Sequence, residues 1–499
     1  MYLAGLARPG ILVAKNPVDV RFPSIPSSRR GLKREISVVP MRTRFFFLAF
    51  ALGLSVSYAD RPLAPKPEDP FFSKFQPAVA PAPSGLMLKP GDRLAICGDS
   101  ITEQKLYSRM METYLTVCVP QYGVSVRQYG WSGETATGFL NRMKNDCLRF
   151  SPTIATTCYG MNDHQYKPFE EKIGEMYRAK QTAIVEEFKK AGTRVVLGSA
   201  GCVGKMPVWV KTATGTVEDL NLSLCQLRNI DIDIAAQEHV AFADVFWPMF
   251  TAGFAAHKLY GPDYAIEGRD GVHPGWAGHT VMAYAFLKAM GLDGDIGTFT
   301  VDLGAGKATA SSGHEVLGFL NGELHLKSSR YPFCAVGGDP AKDDNIRSGM
   351  SRVPFNQDLN RLVLVLKNPT AQKYQISWGA ETHSYTAKQL SDGVNLAADF
   401  ADNPFVADFK KVDAAVAAKQ SYETKQIKQI FHELMGGHFK TADEIKDPEM
   451  KQLFALQDAE GKLDREAVVK ATEATREPLA AAIKTAFVPV THVIKITAE

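Results

Sequence analysis

From residue 90 onward, short apolar runs alternate with longer segments whose apolar residues recur at helical spacing, and this alternation constrains the fold more than any other feature. The runs predicted as β-strands are 93–97, 123–129, 153–159, 194–199 and 240–246. The segments predicted as α-helices are 103–118, 134–149, 168–192, 217–238 and 275–291. Strands and helices that alternate in this way predict an α/β fold, with a parallel sheet covered by helices on both faces.

Polar, glycine-containing sequences stand where the predicted strands end. The first three strands are followed by residues 98–100 (GDS), 130–134 (GWSGE) and 160–163 (GMND). A further stretch, EGRDGVHPGWAGH, brings Asp270 and His273 just ahead of the helix predicted at 275–291. Because sites in open parallel sheets lie beyond the carboxyl ends of the strands, we expect these stretches to meet at one rim of the sheet.

The side chains at this rim are those that acyl transfer needs. A serine hydroxyl becomes a good nucleophile when an adjacent imidazole takes its proton, and Ser100 and His273 supply this pair. Asp270, three residues before His273, is placed to fix the tautomer of the imidazole. The backbone N–H groups of Ser100 and Gly133 and the side-chain amide of Asn162 are candidate oxyanion donors, each worth about 3 kcal/mol.

At these residues the sequence resembles the SGNH (GDSL-type) hydrolases. The four motif blocks of that family appear in order as 98–102 (GDSIT), 132–135 (SGET), 160–163 (GMND) and 270–273 (DGVH). The resemblance covers roughly residues 90–292 and implies a flavodoxin-like three-layer α/β/α fold. It implies that Ser100 is the nucleophile, His273 the general base and acid, and Asp270 its orienting partner, with Gly133 and Asn162 in the oxyanion hole. The whole chain is most similar to secreted bacterial members with a C-terminal extension.

Taken alone, GDSIT also fits a purely structural interpretation, in which an acidic or hydroxyl side chain caps the following helix. The ordered occurrence of all four blocks favours the catalytic interpretation. Three further residues near the blocks are possible substrate contacts, namely Trp131, Trp276 and His164. Core packing is the alternative for the two tryptophans, and a hydrogen-bonded loop histidine is the alternative for His164.

No cofactor or metal site is expected. His432-Glu433 would begin a zinc-protease motif only with a second histidine at 436, where glycine stands. The seven cysteines are widely spaced and include no CxxC pair. Without residues 1–59 the chain has 48 basic and 52 acidic residues, a net charge of −4, so nothing in its charge favours nucleic-acid binding.

The N-terminal sequence predicts export. Met41 begins a basic stretch that is followed by FFFLAFALGLSV and by small residues before Asp60, which is typical of a secretory signal peptide over residues 41–59. The apolar stretch is too short for a membrane anchor. Residues 1–40 are then interpreted as a non-native extension, and we expect a secreted or periplasmic protein without a stable membrane anchor after cleavage.

The remaining organisation is predicted from composition and periodicity. Residues 60–89 are rich in proline and alanine and predict a linker or an arm on the surface. Residues 90–297 are the hydrolase domain, 298–400 a small β-rich appendage with antiparallel pairing, and 401–499 a helical region. The run THVIKIT near the C-terminus is predicted as an edge strand.

These features predict a secreted serine esterase for short acyl esters, such as acetyl groups on polysaccharides or their fragments. The carbohydrate assignment rests on the compartment and on analogy. A thioesterase or lysophospholipase-type esterase is the alternative enzyme. An alternative of another class is a carbohydrate-binding protein whose hydrolase domain is not catalytic.

Overall fold

The computed structural model of the protein describes residues 61–499. The predicted extension at 1–40 and the predicted signal peptide at 41–59 lie outside the described residues. Among the residues that are described, no helix is long and apolar enough to cross a membrane. The seven cysteines, all within this part of the chain, are buried free thiols.

The hydrolase region is built on a five-stranded parallel sheet. Its strands are β1 (Arg93–Gly98), β2 (Ser125–Gln128), β3 (Ile154–Cys158), β4 (Arg194–Gly198) and β5 (Ala241–Ala243). Their spatial order is β2-β1-β3-β4-β5, and every neighbouring pair is parallel. This is the flavodoxin-like strand order, so the predicted fold class is confirmed.

Helices cover both faces of this sheet. They are α1 (Ser100–Glu103), α2 (Tyr107–Val117), α3 (Ala136–Asp146), α4 (Glu171–Lys190), α5 (Val217–Glu238), α6 (Phe246–Tyr260) and α7 (Trp276–Ala289). Successive residues of β1 point to opposite faces: Leu94 and Ile96 pack with α2 and α7, whereas Ala95 and Cys97 pack with α3 and α4. Two apolar cores therefore sandwich the sheet, as the three-layer prediction requires.

Helix α6 is an element that the sequence did not predict. Its sequence, FWPMFTAGFAAHKLY, is apolar almost throughout and so lacks the polar face that reveals a surface helix. The structure explains this, because the proline-rich residues 61–89 are an arm that covers α6. Phe72 and Phe75 of the arm are buried, with ring centroids 5.8 Å and 4.8 Å from those of Trp247 and Phe250, respectively.

The C-terminal half contributes two further sheets. Its strands are β6 (Asp295–Asp302), β7 (Lys307–Ala310), β8 (His314–Leu320), β9 (Glu323–Ser328), β10 (Arg361–Lys367), β11 (Lys373–Trp378), β12 (Glu381–Thr386), β13 (Val394–Asn395) and β14 (Val490–Ala498). The orders are β13-β10-β6-β7 and β12-β11-β14-β9-β8. The predicted antiparallel pairing is confirmed for β8–β9 and β11–β12.

The prediction that the last strand lies at an edge is wrong. Strand β14 lies between β9 and β11 and pairs antiparallel with both. Its inward residues Val490, Ile494 and Ile496 are buried, which a central position in the sheet provides. Residues 490–498 thus complete a sheet whose other strands come from 314–386.

The helices of this half are mostly C-terminal. They are α8 (Ile346–Met350), α9 (Phe355–Asp358), α10 (Ala387–Asp392), α11 (Leu396–Asp399), α12 (Val406–Lys425), α13 (Pro448–Phe454) and α14 (Arg465–Ala486), with a π-helical segment, Gln426–Leu434, continuing α12.

Helices α12 and α14 cover β2, which is an outer strand of the parallel sheet. Lys419 and Arg476 donate hydrogen bonds to the backbone carbonyl of Val126, at 2.5 Å and 3.0 Å. The carboxylate of Glu423 accepts one from the backbone N–H of Gln128, at 3.1 Å. An exposed strand edge can pair with another chain, and these side chains occupy backbone groups of β2 that would otherwise be free to do so.

Candidate active site

Ser100 lies at the turn from β1 into α1. Asp99 precedes it as the N-cap of α1, and the Asp99 carboxylate accepts a hydrogen bond from the backbone N–H of Ile101 at 2.9 Å. Ser100 is therefore the first residue of the helix, where its own N–H has no partner within the helix. The strand ends here, so that the Ser100 hydroxyl lies at the carboxyl edge of the sheet, half-buried rather than in the core.

The irregular segment 261–275, which we call the acid–base loop, brings Asp270 and His273 to this serine. The Ser100 Oγ lies 2.7 Å from His273 Nε2, and His273 Nδ1 lies 2.6 Å from Asp270 Oδ2. The other oxygen of Asp270 accepts hydrogen bonds from the backbone N–H groups of Val272 and His273, each at 2.9 Å. Partial burial raises the pKa of Asp270, but these hydrogen bonds outweigh it, and the net pKa lies below the usual value.

The three predicted oxyanion donors belong to three neighbouring loops. Gly133 has φ +75°, in the left-handed region that favours glycine, and a Cβ there would meet nothing within 4 Å. Asn162 donates one side-chain N–H to the backbone carbonyl of Glu134 at 3.0 Å, which leaves its second N–H free for a ligand. Tyr166 donates its hydroxyl to Asn162 Oδ1 at 3.2 Å, which fixes the orientation of the amide.

Two acidic residues of the motifs hold these loops together. The carboxylate of Glu134 forms a buried two-pronged ion pair with Arg142, with both N–O distances 2.6 Å. Asp163 accepts hydrogen bonds from the backbone N–H groups of Ala136 and Gly160, at 2.9 Å and 3.0 Å. Neither acid was predicted to have a role, although both stand in the motif blocks at 132–135 and 160–163.

The three residues predicted as substrate contacts lie in three different environments. Trp131 packs beneath the C-terminal half, with its ring 4.5 Å from that of His432. Trp276 begins α7 and lies under the guanidinium of Arg109, at 5.7 Å. His164 is fully buried, its Nδ1 lies 2.6 Å from the carbonyl of Met161, and burial lowers its pKa to about 4. His164 therefore has no surface for a substrate and instead fixes the turn beside Asn162.

Trp209 is a functional candidate that sequence reasoning missed. Its ring centroid lies 5.7 Å from that of His273 and 5.8 Å from that of Tyr166, and the side chain is 40% exposed. The segment between β4 and α5 carries Trp209 to this place from 64 residues away along the chain, with no motif of its own. Trp209 therefore presents an exposed aromatic ring beside His273.

A parallel α/β sheet that presents a hydrogen-bonded serine, histidine and aspartate beside backbone and amide donors defines a class, the serine hydrolases of the flavodoxin-like type. Residues 96–281 match the GDSL-like Lipase/Acylhydrolase family. This part of the chain is a GDSL-type, or SGNH, acylhydrolase domain, and the protein is a carboxylic ester hydrolase. No curated protein matches the chain.

Solved structures extend the likeness in fold. A gut microbial diltiazem-metabolizing enzyme is 20% identical, with a TM-score of 0.65 over 84% of this chain and 100% of that one. Its coverage shows that the fold of the C-terminal half is shared as well. An acetylxylan esterase from Geobacillus stearothermophilus is 22% identical, with a TM-score of 0.34 over 42% of this chain and 97% of that one.

Proposed function

We propose that the protein is a secreted serine esterase that removes short acyl groups, such as acetyl, from carbohydrates, with Ser100, His273 and Asp270 as its catalytic triad. The observation that carries the triad is the continuous pair of short contacts from Ser100 Oγ to His273 Nε2 and from His273 Nδ1 to Asp270 Oδ2. Acyl transfer needs a nucleophilic hydroxyl, a base that takes its proton and a carboxylate that orients the base, and these contacts join the three groups in that order.

The first half of the reaction forms an acyl-enzyme. Asp270 accepts a hydrogen bond from the Nδ1–H of His273, which leaves Nε2 free to take the proton from the Ser100 hydroxyl. The Ser100 oxygen then bonds to the carbonyl carbon of the ester, and the carbonyl oxygen becomes an oxyanion. When this tetrahedral intermediate collapses, His273 gives its proton to the departing alcohol oxygen, and the acyl group stays on Ser100.

The second half releases the acid. Water enters where the alcohol was, gives its proton to His273 and bonds to the acyl carbon. The new tetrahedral intermediate collapses, the proton returns to the Ser100 oxygen, and the carboxylic acid leaves. In both halves the oxyanion is stabilised by the N–H groups of Ser100 and Gly133 and by the free amide N–H of Asn162.

The surroundings of the triad support a carbohydrate-bound ester. Trp209 and Tyr166 present aromatic surface on the side of His273, and aromatic faces pack well against the apolar faces of sugar rings. The signal-like sequence at 41–59 supports export to a compartment where polysaccharides are found. The structural neighbour from Geobacillus stearothermophilus is named an acetylxylan esterase, and the substrate in that name belongs to the proposed class.

The test of the triad is hydrolysis of 4-nitrophenyl acetate by a protein that begins at Asp60, alongside Ser100→Ala and His273→Ala. We expect the parent to turn over and each variant to lose about 10⁴- to 10⁶-fold in kcat, as removal of a triad member does in serine hydrolases. Equal rates in all three proteins would sink the proposal and favour a binding protein.

The substrate class is tested by comparing acetylated xylo-oligosaccharides with acyl-thioesters and lysophospholipids. We expect the highest kcat/KM on the acetylated sugars, whereas a preference for thioesters or lysolipids would replace the carbohydrate assignment. Export is tested separately by fractionating cells that express the full chain and sequencing the N-terminus of the mature protein. Mature protein beginning near Asp60 outside the cytoplasm is the expected result, and uncleaved cytoplasmic protein contradicts export.

A further inference from the structure

Side chains from the C-terminal half contact two parts of the proposed site, the loop that contains Gly133 and the loop that contains Asp270 and His273. We propose that residues 298–499 complete the active site, with Lys428 positioning the oxyanion loop at 131–133 and Asp343 positioning the acid–base loop. This inference rests on the proposed function of the triad. It assigns a role to the part of the chain that lies outside the family match at 96–281.

Lys428 acts through Glu103. Glu103 stands one helical turn after Ser100 on α1, and its Oε2 accepts hydrogen bonds from the backbone N–H and the hydroxyl of Ser132, at 2.5 Å and 2.6 Å. The ammonium of Lys428 lies 2.8 Å and 3.0 Å from the two carboxylate oxygens of Glu103. Ser132 directly precedes Gly133, so this chain of contacts fixes a backbone N–H proposed to bind the oxyanion.

The same lysine also contacts Trp131, the first residue of the oxyanion loop. The Lys428 ammonium lies 5.3 Å from the ring of Trp131, and the Arg142 guanidinium lies 5.1 Å from that ring. His432, one turn further along the π-helical segment, contacts Trp131 and lies 2.7 Å from a carboxylate oxygen of Asp146. Trp131 is thus fixed between the hydrolase core and the C-terminal half, which explains why this predicted substrate contact is partly buried.

The charge on Glu103 depends on these neighbours. Burial raises the pKa of Glu103, but the hydrogen bonds from Lys428 and Ser132 outweigh burial, and its pKa lies below the usual value. Lys105 is a second cation near Glu103, and its ammonium donates a hydrogen bond to the backbone carbonyl of Glu103 at 2.6 Å. An ionised Glu103 accepts the two hydrogen bonds from Ser132 more strongly than a neutral carboxyl would, so protonation of Glu103 would loosen the oxyanion loop.

Asp343 holds the acid–base loop in a comparable way. Its side chain is buried, accepts a hydrogen bond from the backbone N–H of Ala265 at 2.6 Å and pairs with Arg269 at 2.8 Å. Its backbone carbonyl accepts a hydrogen bond from Ala277 at 3.1 Å. Residues 265, 269 and 277 flank Asp270 and His273 on both sides, and the loop between α6 and α7 contains no helix or strand of its own.

The first test compares Lys428→Met with Lys425→Met in the full chain from Asp60. Lys425 lies three residues earlier, is equally exposed, and pairs with Asp447 and Glu449 of the C-terminal half, both at 2.8 Å. We expect kcat for 4-nitrophenyl acetate to fall about tenfold or more in Lys428→Met with little change in KM, and Lys425→Met to keep the parent kcat. Lys428→Arg should restore most of the loss.

The pH profile adds a readout that a purely structural role would not move. Removal of Lys428 takes away a cation whose hydrogen bond lowers the pKa of Glu103, whereas the burial that raises this pKa remains. The pKa of Glu103 therefore rises, and its carboxylate becomes protonated at a higher pH. The deficit of Lys428→Met relative to the parent should therefore be larger at pH 5 than at pH 8. An equal deficit at both pH values, or parent kcat in Lys428→Met, overturns the role of this lysine.

The second test compares Asp343→Ala with Asp358→Ala. Asp358 also lies in the C-terminal half, but its side chain accepts a hydrogen bond from Tyr284 at 2.6 Å and pairs with Lys288 at 3.4 Å, both on α7 and outside the acid–base loop. A misplacement of about 1 Å costs on the order of 100-fold in rate, so we expect a loss of that size in kcat for Asp343→Ala. Asp358→Ala should keep kcat.

The two proposals fail in different ways. If Ser100→Ala is as active as the parent, the triad itself is wrong. If Ser100→Ala is inactive while Lys428→Met and Asp343→Ala keep the parent kcat, the triad stands and the positioning role is wrong. Thermal unfolding of each variant gives the temperature range in which it is folded. Rates are compared only within the range shared by all variants, so that a lower kcat is not caused by unfolding.

Discussion

Asp99 precedes the nucleophile and is one of several carboxyl groups buried beneath it. Its pKa is raised to about 7, mainly by burial and also by the nearby carboxylates of Asp163 and Glu134, against the hydrogen bond from the Ile101 N–H, which lowers it. Asp163 has a pKa raised to about 6 for the same main reason, burial. These groups take up protons in the folded protein at a pH where an unfolded chain has released them.

A pH dependence of stability follows from Asp99. Its folded pKa lies above its unfolded value of 3.8, so between about pH 4 and pH 7 the folded state binds more protons and the free energy of unfolding falls as pH rises. Asp99→Asn keeps the capping oxygen without a charge. We expect urea unfolding to show a smaller loss of stability between pH 5 and pH 8 in this variant than in the parent, whereas Asp392→Asn, at an exposed position, should match the parent slope.

At the scale of elements, the acid–base loop shows how an irregular segment is made precise. Gly268 has φ +87°, and a Cβ there would lie 1.7 Å from the backbone carbonyl oxygen of His273. Gly204, in the segment after β4, donates its N–H to the carbonyl of Gly271 at 2.9 Å. Backbone contacts of this kind, together with Asp343, replace the ladder of hydrogen bonds that a helix or strand would have.

Gly268→Ala should therefore displace His273. We expect kcat for 4-nitrophenyl acetate to fall by roughly 100-fold, the cost of a misplacement of about 1 Å. Gly261→Ala is the matched control, because Gly261 begins the same loop with φ +94° but a Cβ there meets nothing within 4 Å. It should lose about 1–3 kcal/mol of stability through backbone strain yet keep kcat when folded. Equal kcat values for the two variants would contradict this account.

At the scale of the whole molecule, the hydrolase sheet and the C-terminal helices share a buried charged cluster. Lys419 is 1% exposed, and its ammonium lies 2.8 Å from Glu112 of α2 and 3.0 Å from Glu423 of α12. Arg476 of α14 pairs with Glu423 from the other side, at 2.6 Å. The cluster covers β2 and joins the two halves by interactions that neither could satisfy alone.

Lys419→Ala would leave two buried carboxylates without this cation. We expect the free energy of unfolding to fall by about 3–5 kcal/mol, the usual cost of removing one partner of a buried ion pair. Lys388→Ala, which breaks the exposed pair with Asp392, should change stability by no more than about 1 kcal/mol. Chemical denaturation of both variants measures the difference, and similar values would show that burial does not decide the strength of these pairs.

The sequence by itself predicted the parallel sheet and, through the resemblance to the SGNH hydrolases, the flavodoxin-like class, and it singled out Ser100, His273 and Asp270, which the structure brings within hydrogen-bonding distance. These predictions rest on local signals: apolar periodicity marks strands and amphipathic helices, and Ser100, Gly133, Asn162 and His273 each stand in a short motif at a strand end or before a helix. Helix α6 was not predicted, because the arm covers it and it has no polar face, so its sequence shows no alternation of polar and apolar residues at helical spacing.

Only the tertiary structure decided which distant residues meet the site and how the C-terminal half is arranged. Strand β14 is central because β9 and β11 lie on its two sides, and no pattern within residues 490–498 records its neighbours. Trp209 reaches His273, and Lys428 reaches Glu103 from 325 residues away. Local periodicity depends on neighbours along the chain, whereas such contacts depend on packing among elements that are remote in sequence.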